Sequence, residues 1–228
     1  MSGIFSSSVG RKVAMALSAF FLMIFLVMHV GINFTSVFSE ELFNELSHFM
    51  GTNPLVQGVM QPILIFGVIF HFVMGFILEA KNKASRGVKY ASNSPKDNSS
   101  WVSRNMLLTG VVILAFLGLH MYDFWVHEMT VKYIDGDMSG LLDPNVAESG
   151  FRYYEELREK FVSPVRVGIY SVSFVLLALH LLHGFNSAFQ SVGANNKYVK
   201  SLKGFSKVYS IGIPALFIFI ALFHHFTH

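Results

Sequence analysis

Cysteine is absent from all 228 residues. That absence excludes disulfides, thiolate iron-sulfur ligation, covalent haem attachment and cysteine nucleophiles within this chain. Histidine, present ten times, is the strongest soft-metal ligand left. Charge is also scarce, with Asp, Glu, Lys and Arg making up 14% of the sequence. All four are missing from Val13 to Ser39, Leu46 to Leu78, Asn105 to Tyr122, Val167 to Asn196 and Val208 to His228. No segment reads as an aqueous catalytic domain: residues 82–103 form a Lys/Ser/Asn-rich connection, and residues 129–163 allow at most a short amphipathic helix around Tyr153 to Phe161.

What is present is apolar. Hydrophobic residues make up 53% of the chain, aromatics 15%, and the mean hydropathy is +0.50, more apolar surface than a soluble domain of this size can bury. A helix crossing a hydrocarbon core roughly 30 Å thick takes about 20 residues, and each charge-free stretch can hold one. The expected architecture is all-α, an integral membrane bundle of five transmembrane helices near 13–37, 57–80, 105–127, 165–190 and 207–226, forming a single membrane-anchor domain over 1–228. Pro62 and Pro214 are expected in the first turn or two of helices II and V, where a missing backbone N–H costs little. The first apolar run is too long for a signal-peptide core and lacks a small-residue cleavage site, so a retained helix is expected.

The net charge of +3 and pI of about 9.1 do not imply nucleic acid here, because the basic residues follow the positive-inside rule. Arg11 and Lys12 precede helix I; Lys81, Lys83, Arg86, Lys89, Lys96 and Arg104 lie between II and III; Lys197, Lys200, Lys203 and Lys207 lie between IV and V. The I–II loop instead carries Glu40, Glu41 and Glu45. This predicts a multi-pass membrane protein with a cytoplasmic N-terminus and an outside C-terminus.

Helices I, II and III each carry one deep histidine, His29, His71 and His120, and helix IV carries His180 and His183. Ionisable groups at such depth are costly and mark functional sites. At about 1.5 Å of rise per residue, His29 and His120 sit roughly 24–26 Å from the cytoplasmic boundary, and His71 and His180 about 15 Å from it. Two level pairs offset by about 10 Å suit two six-coordinate haems, with His29 and His120 on the outer one and His71 and His180 on the inner one. His71 and His180 each precede a glycine by four residues, in HFVMG and HLLHG, on the same helix face. A glycine there is expected to let a macrocycle approach the backbone. His183, one turn nearer the cytoplasm, competes with His180 or contacts a haem propionate. His48, His224, His225 and His228 read as interfacial polar residues, the last three at the exposed end of helix V.

Asp123 and His127 follow His120 by three and seven residues, with Glu128 beside them, and could serve an outer quinone or mark where helix III enters the headgroups with Tyr122 and Trp125. Arg11, Lys12, Arg104 and Lys197 could neutralise propionates or receive a partner subunit, or obey the positive-inside rule alone. Glu79, among Lys81 and Lys83, reads as an interfacial salt bridge.

The segments SSSVGRKVAMALSAFFLMIFLVMHV, FGVIFHFVMGF, SRNMLLTGVVILAFLGLHMYDFWV and LALHLLHGFNSAFQSVG resemble the cytochrome b subunit of dihaem succinate:quinone oxidoreductases, a family that includes menaquinol:fumarate reductases, and in particular its Bacteroidetes-type form. The resemblance covers nearly the whole chain. It implies haem ligands His29, His71, His120 and His180, two b haems, and a quinone, with menaquinone favoured. It also implies a flavoprotein partner with covalent FAD, where succinate and fumarate interconvert, and an iron-sulfur partner on the cytoplasmic face. This chain would then carry electrons and touch no succinate. Some dihaem fumarate reductases have a glutamate two residues before the helix IV ligand, linked to proton movement; Ala178 stands there in this chain. The competing readings are a haem-bearing anchor of a hydrogenase or formate dehydrogenase, and a transporter with histidines in a metal or proton path.

Overall fold

The computed structural model describes residues 7–84, 105–194 and 199–227. Five helices are long and apolar enough to cross a membrane: α1 (Ser8–Thr35), α3 (Val56–Ala84), α4 (Met106–Tyr133), α6 (Pro164–Ser191) and α7 (Val199–Phe226). Two shorter helices, α2 (Glu40–Thr52) and α5 (Tyr153–Val162), lie in the connections. Serine side chains cap the starts of α1, α2 and α6. The Ser7 side chain accepts from the Gly10 N–H, Ser39 from Leu42 and Ser163 from Arg166, with Pro164 opening α6.

The spans make antiparallel hairpins. Met15, Ser18 and Phe21 on α1 meet Gly75, His71 and Gly67 on α3 in reverse order. Met106, Phe116 and Asp123 on α4 likewise meet Gly184, Phe174 and Arg166 on α6. Helix α1 packs on α6 as well, and α7 lies along α6 and α1. Exposed Leu17, Ile24, Phe66, Ile69, Leu108 and Val172 are the apolar surface that a hydrocarbon environment would cover. Close approach is built into the α1–α3 contact at Gly67, where an added Cβ would lie 2.7 Å from a Phe21 ring carbon.

One end of the bundle is covered. The amphipathic α2 and α5 bury Phe43, Leu157 and Phe161 against Val30, Phe174, Phe217 and Ile220 of the spans, each side chain contributing about 1.5–3 kcal/mol. The Asn44 side chain accepts from the Tyr154 N–H at 2.8 Å and so caps one free donor at the start of α5. Between α4 and α5 the chain closes on itself through hydrogen bonds from Leu142 N to Gly150 O and from Arg152 N to Gly140 O. Gly140 has φ +67°, and a side chain there would meet the Tyr153 hydroxyl at 2.5 Å, so glycine is required.

Several expectations need correction. Helix α2 occupies what reads as a plain connection in the sequence, although Ser39 followed by Glu40 and Glu41 is a helix-start signal. Helix α7 begins at Val199 rather than near 207, because lysine stems at a membrane-helix end can run along apolar surface and carry their charges outward. Pro214 therefore lies inside α7, not in its first turns, and denies the Ser210 carbonyl its usual donor. Two spans contain wide π-helical turns, Val56–Met60 leading to Pro62 in α3 and Met121–Val126 in α4.

Candidate functional site

The five spans bring four of the deep histidines together as two pairs. The rings of His29 (α1) and His120 (α4) have centroids 5.7 Å apart at 81°, and those of His71 (α3) and His180 (α6) are 6.5 Å apart at 66°. Each pair joins one helix of the α1–α3 hairpin to one helix of the α4–α6 hairpin. No ring contact joins His183 to His71 among the described residues, and His183 is half-buried one turn along α6.

The two pairs have different surroundings. Around His29 and His120 the walls are aromatic: Phe25 stacks on His29 at 5.2 Å, Phe217 lies 5.6 Å from it, and Phe124 and Phe116 lie 5.2 and 6.1 Å from His120. The Asn33 amide, bonded to the His29 carbonyl at 2.8 Å, sits 3.4 Å from His29 Nδ1. At the other pair, hydroxyls approach from neighbouring helices, with Ser18 Oγ 3.0 Å from His71 Nδ1 and Thr109 Oγ1 3.3 Å from His180 Nδ1. An apolar cleft of about 300 Å³ opens beside Ser18, lined also by Phe21, Phe66, Gly67 and Phe70.

The HxxxG glycines do not stand open. A Cβ at Gly75 would meet the Met15 methyl at 3.6 Å, and one at Gly184 the Met106 methyl at 3.2 Å. At Gly184 the absent side chain makes room for the Met106 methyl, whereas at Gly75 a Cβ would make ordinary contact. The glycine whose missing Cβ borders a ring of the pair is Gly110, 3.6 Å from His180 Cε1.

Next to His120, Asp123 is 2% exposed and accepts from Arg166 Nη2 and from the Tyr170 hydroxyl, both at 2.8 Å. His127 does not join this group; its Nε2 lies 3.2 Å from Glu156 Oε1. Glu156 belongs to a separate ion-pair cluster in which Arg152 bridges Glu128 at 2.6 Å and Glu156 at 2.5 Å, and Lys132 pairs with Glu128 at 2.7 Å and donates to the Gly51 carbonyl. Burial opposes the charge on Arg152, but Glu128 and Glu156 outweigh it and raise its pKa. This cluster ties α2 and the α4–α5 connection to the end of α4.

The remaining sequence candidates divide. Arg11 is half-buried and Lys12 exposed in the first turn of α1. Arg104, Lys197 and His228 lie outside the described residues. Glu79 pairs with Lys83 at 3.5 Å. His48 stacks on Phe151 at 4.0 Å, and His225 Nδ1 reaches the Phe161 carbonyl at 2.9 Å. His224 is not exposed: α5 and the turn after α1 cover it, its ring lies 5.6 Å from Tyr154, and its Nε2 bonds Ser36 Oγ at 2.8 Å.

Residues the sequence reading missed are Ser18, Thr109, Arg166, Tyr170 and Ser36. A signal for the first two exists: Met15, Ser18 and His29 recur at identical spacing as Met106, Thr109 and His120. Among the described residues no three of His, Cys, Asp and Glu converge as a metal cluster. The donor sets are pairs of facing imidazoles, which suit a metal that brings its own equatorial ligands. Metal–nitrogen bonds of about 2 Å on either side of one ion put two imidazole centroids about 6 Å apart, and both pairs match that spacing.

No family model and no solved structure matches the chain. It is a distant homologue of the succinate dehydrogenase cytochrome b558 subunit of Bacillus subtilis (strain 168), 26% identical over 130 residues. That match covers 56% of this chain and 60% of the relative's length.

Proposed function

We propose that this multi-pass membrane protein is the dihaem cytochrome b anchor of a succinate:quinone oxidoreductase in the bacterial cytoplasmic membrane, with the N-terminus inside and the C-terminus outside. The observation that carries this reading is the two facing imidazole pairs at a spacing suited to bis-histidine ligation. The distant homology to a succinate dehydrogenase cytochrome b subunit supports the choice of complex. In this reading His29 and His120 hold the outer b haem, and His71 and His180 the inner one. Bound haem supplies reversible one-electron transfer.

The chain's own residues hold and insulate. Phe25, Phe116, Phe124 and Phe217 exclude water from His29 and His120, and the low polarity there strengthens electrostatic interactions between charges at the site. Arg11 and Lys12, with Arg104 and Lys197, supply positive charge on the cytoplasmic side, where propionates or an iron-sulfur partner would meet it. Quinone, with menaquinone favoured, would be served near the outer pair by Asp123, whose carboxylate takes the Tyr170 proton in a hydrogen bond and is balanced by Arg166. His127, held by Glu156, borders this region from the ion-pair cluster. Succinate chemistry belongs to a flavoprotein partner carrying FAD.

A reduced-minus-oxidised spectrum of the purified protein with its co-purifying partners tests this. Two b haems per chain by pyridine haemochrome, together with succinate-dependent quinone reduction, are expected. A colourless preparation would favour a transporter, and a haem-containing preparation inert to succinate would favour an anchor of another dehydrogenase.

A further inference from the structure

The contacts at the His71–His180 pair form a two-point interlock that occurs twice. On α1, Met15 and Ser18 are three residues apart; the Met15 methyl lies 3.6 Å from where a Gly75 Cβ of α3 would stand, an ordinary contact, and Ser18 Oγ reaches His71 Nδ1. On α4, Met106 and Thr109 repeat the spacing; the Met106 methyl fills the space left by Gly184 of α6, and Thr109 Oγ1 reaches His180 Nδ1. The methionine contact is tight at Gly184 and ordinary at Gly75, and in both helix pairs the hydroxyl meets the imidazole one turn away.

The hydroxyl hydrogens are already engaged. Ser18 Oγ donates to the Met15 carbonyl at 2.8 Å, and Thr109 Oγ1 donates to the Met106 carbonyl at 2.9 Å, the backbone bond that helical Ser and Thr commonly make. Each hydroxyl therefore offers a lone pair to the ring, and the Nδ1 it faces carries the proton; at His180 the Met106 backbone carbonyl is a second acceptor beside Thr109. The neutral imidazole then has its lone pair on Nε2, the atom free to bind a metal, while an acceptor on Nδ1–H raises the ligand's basicity. His29 differs, since its Nδ1 faces an amide of its own helix at 3.4 Å.

We infer that Ser18 and Thr109 are positioning residues that lock His71 and His180 in the Nδ1–H tautomer and make this pair the more electron-donating of the two ligand sets. The inference rests on the reading of His71 and His180 as ligands of the inner haem. A more basic ligand stabilises the ferric state, so loss of either hydroxyl raises the midpoint potential of that haem and leaves the other in place. Losing the hydroxyl that orients the ring also weakens retention of that haem by roughly 10–100-fold.

The test uses the full chain with its partners in native membranes, as Ser18→Ala and as the near-isosteric Thr109→Val, with Ser18→Thr and Thr109→Ser as hydroxyl-retaining counterparts. Haem content, redox titration of the two b haems and their low-spin ferric resonance signals are read. Expected are an upward shift in one midpoint and a change in one resonance signal in Ser18→Ala and Thr109→Val, or selective loss of that haem, with wild-type behaviour in the counterparts. Unchanged midpoints and signals, equal changes in both haems, or counterparts that behave like the deletions overturn the inference. Two haems surviving His71→Ala, or none in the wild type, would instead overturn the ligand reading beneath it.

Discussion

Each proposed ligand is held by a small number of contacts, and these contacts separate His180 from its neighbour. His180 faces His71 and receives Thr109, whereas His183 does neither. His180→Ala is therefore expected to leave one haem per chain and His183→Ala two, as counted by pyridine haemochrome; one haem in His183→Ala with two in His180→Ala would reverse the assignment. Gly67 provides a packing test. A methyl group 2.7 Å from the Phe21 ring must move that ring or the helix, an overpacking cost of about 1–3 kcal/mol. Gly67→Ala should lower the thermal midpoint in detergent, and Phe21→Leu in the same chain should recover part of the loss. The pairing of histidines by level was legible in the sequence because rise per residue is fixed in a helix. Ser18 and Thr109 were not, because a hydroxyl three residues from a methionine gains meaning only when the adjoining helix shows its imidazole.

At the scale of elements, the amphipathic helices and the α4–α5 connection form a cap whose polar interior is sensitive to acid. His48 of α2 sits on Phe151 beside Tyr153, facing Lys132 and Glu128 of α4 and Arg152 of the connection. Burial, followed by Lys132, holds its pKa below the ordinary 6.5. The unfolded cap takes up a proton on His48 at a higher pH than the folded cap does. The resulting stability is fully present above 6.5 and is lost as pH falls through the folded value. Protection of the amides in the 140–153 segment, taken relative to the intrinsic exchange rate at each pH, should fall as pH is lowered from neutrality through 6.5, and His48→Gln should flatten that dependence. Charge-free runs revealed the spans, but they placed the start of α7 too late and left α2 unseen. The lysines of α7 lie at a helix end where their charges can reach water, and α2 is too polar and too short to register as a span. The burial of His224 was hidden for a related reason: what covers it, Ser36 after α1 and Tyr154 of α5, is far away in sequence.

For the whole molecule, five spans and an acidic, helix-capped end opposite the basic connections make orientation a measurable property. A periplasm-active phosphatase fused after His228 is expected to be active and a cytoplasm-dependent fluorescent reporter dark, with the reverse pattern for fusions in 85–104; the opposite result would invert the bundle and exchange the inner and outer haem assignments. The division of the chain into spans was readable because a bilayer imposes length and apolarity together. Which spans touch was not, since lipid-facing and helix-facing positions are both apolar and the difference lies in small residues such as Gly67, Ser206, Ser210 and Ala221 at the contacts.

The crossing of the two histidine pairs between hairpins has a consequence in time. A ribosome delivers α1, α3, α4 and α6 in that order, and neither hairpin contains a complete pair. The His29–His120 pair becomes possible once α4 has entered the bilayer, whereas His71 waits for His180 on α6. The newly made protein thus acquires its two histidine pairs in sequence, and a nascent chain halted after Tyr133 has both rings of the first pair and one ring of the second.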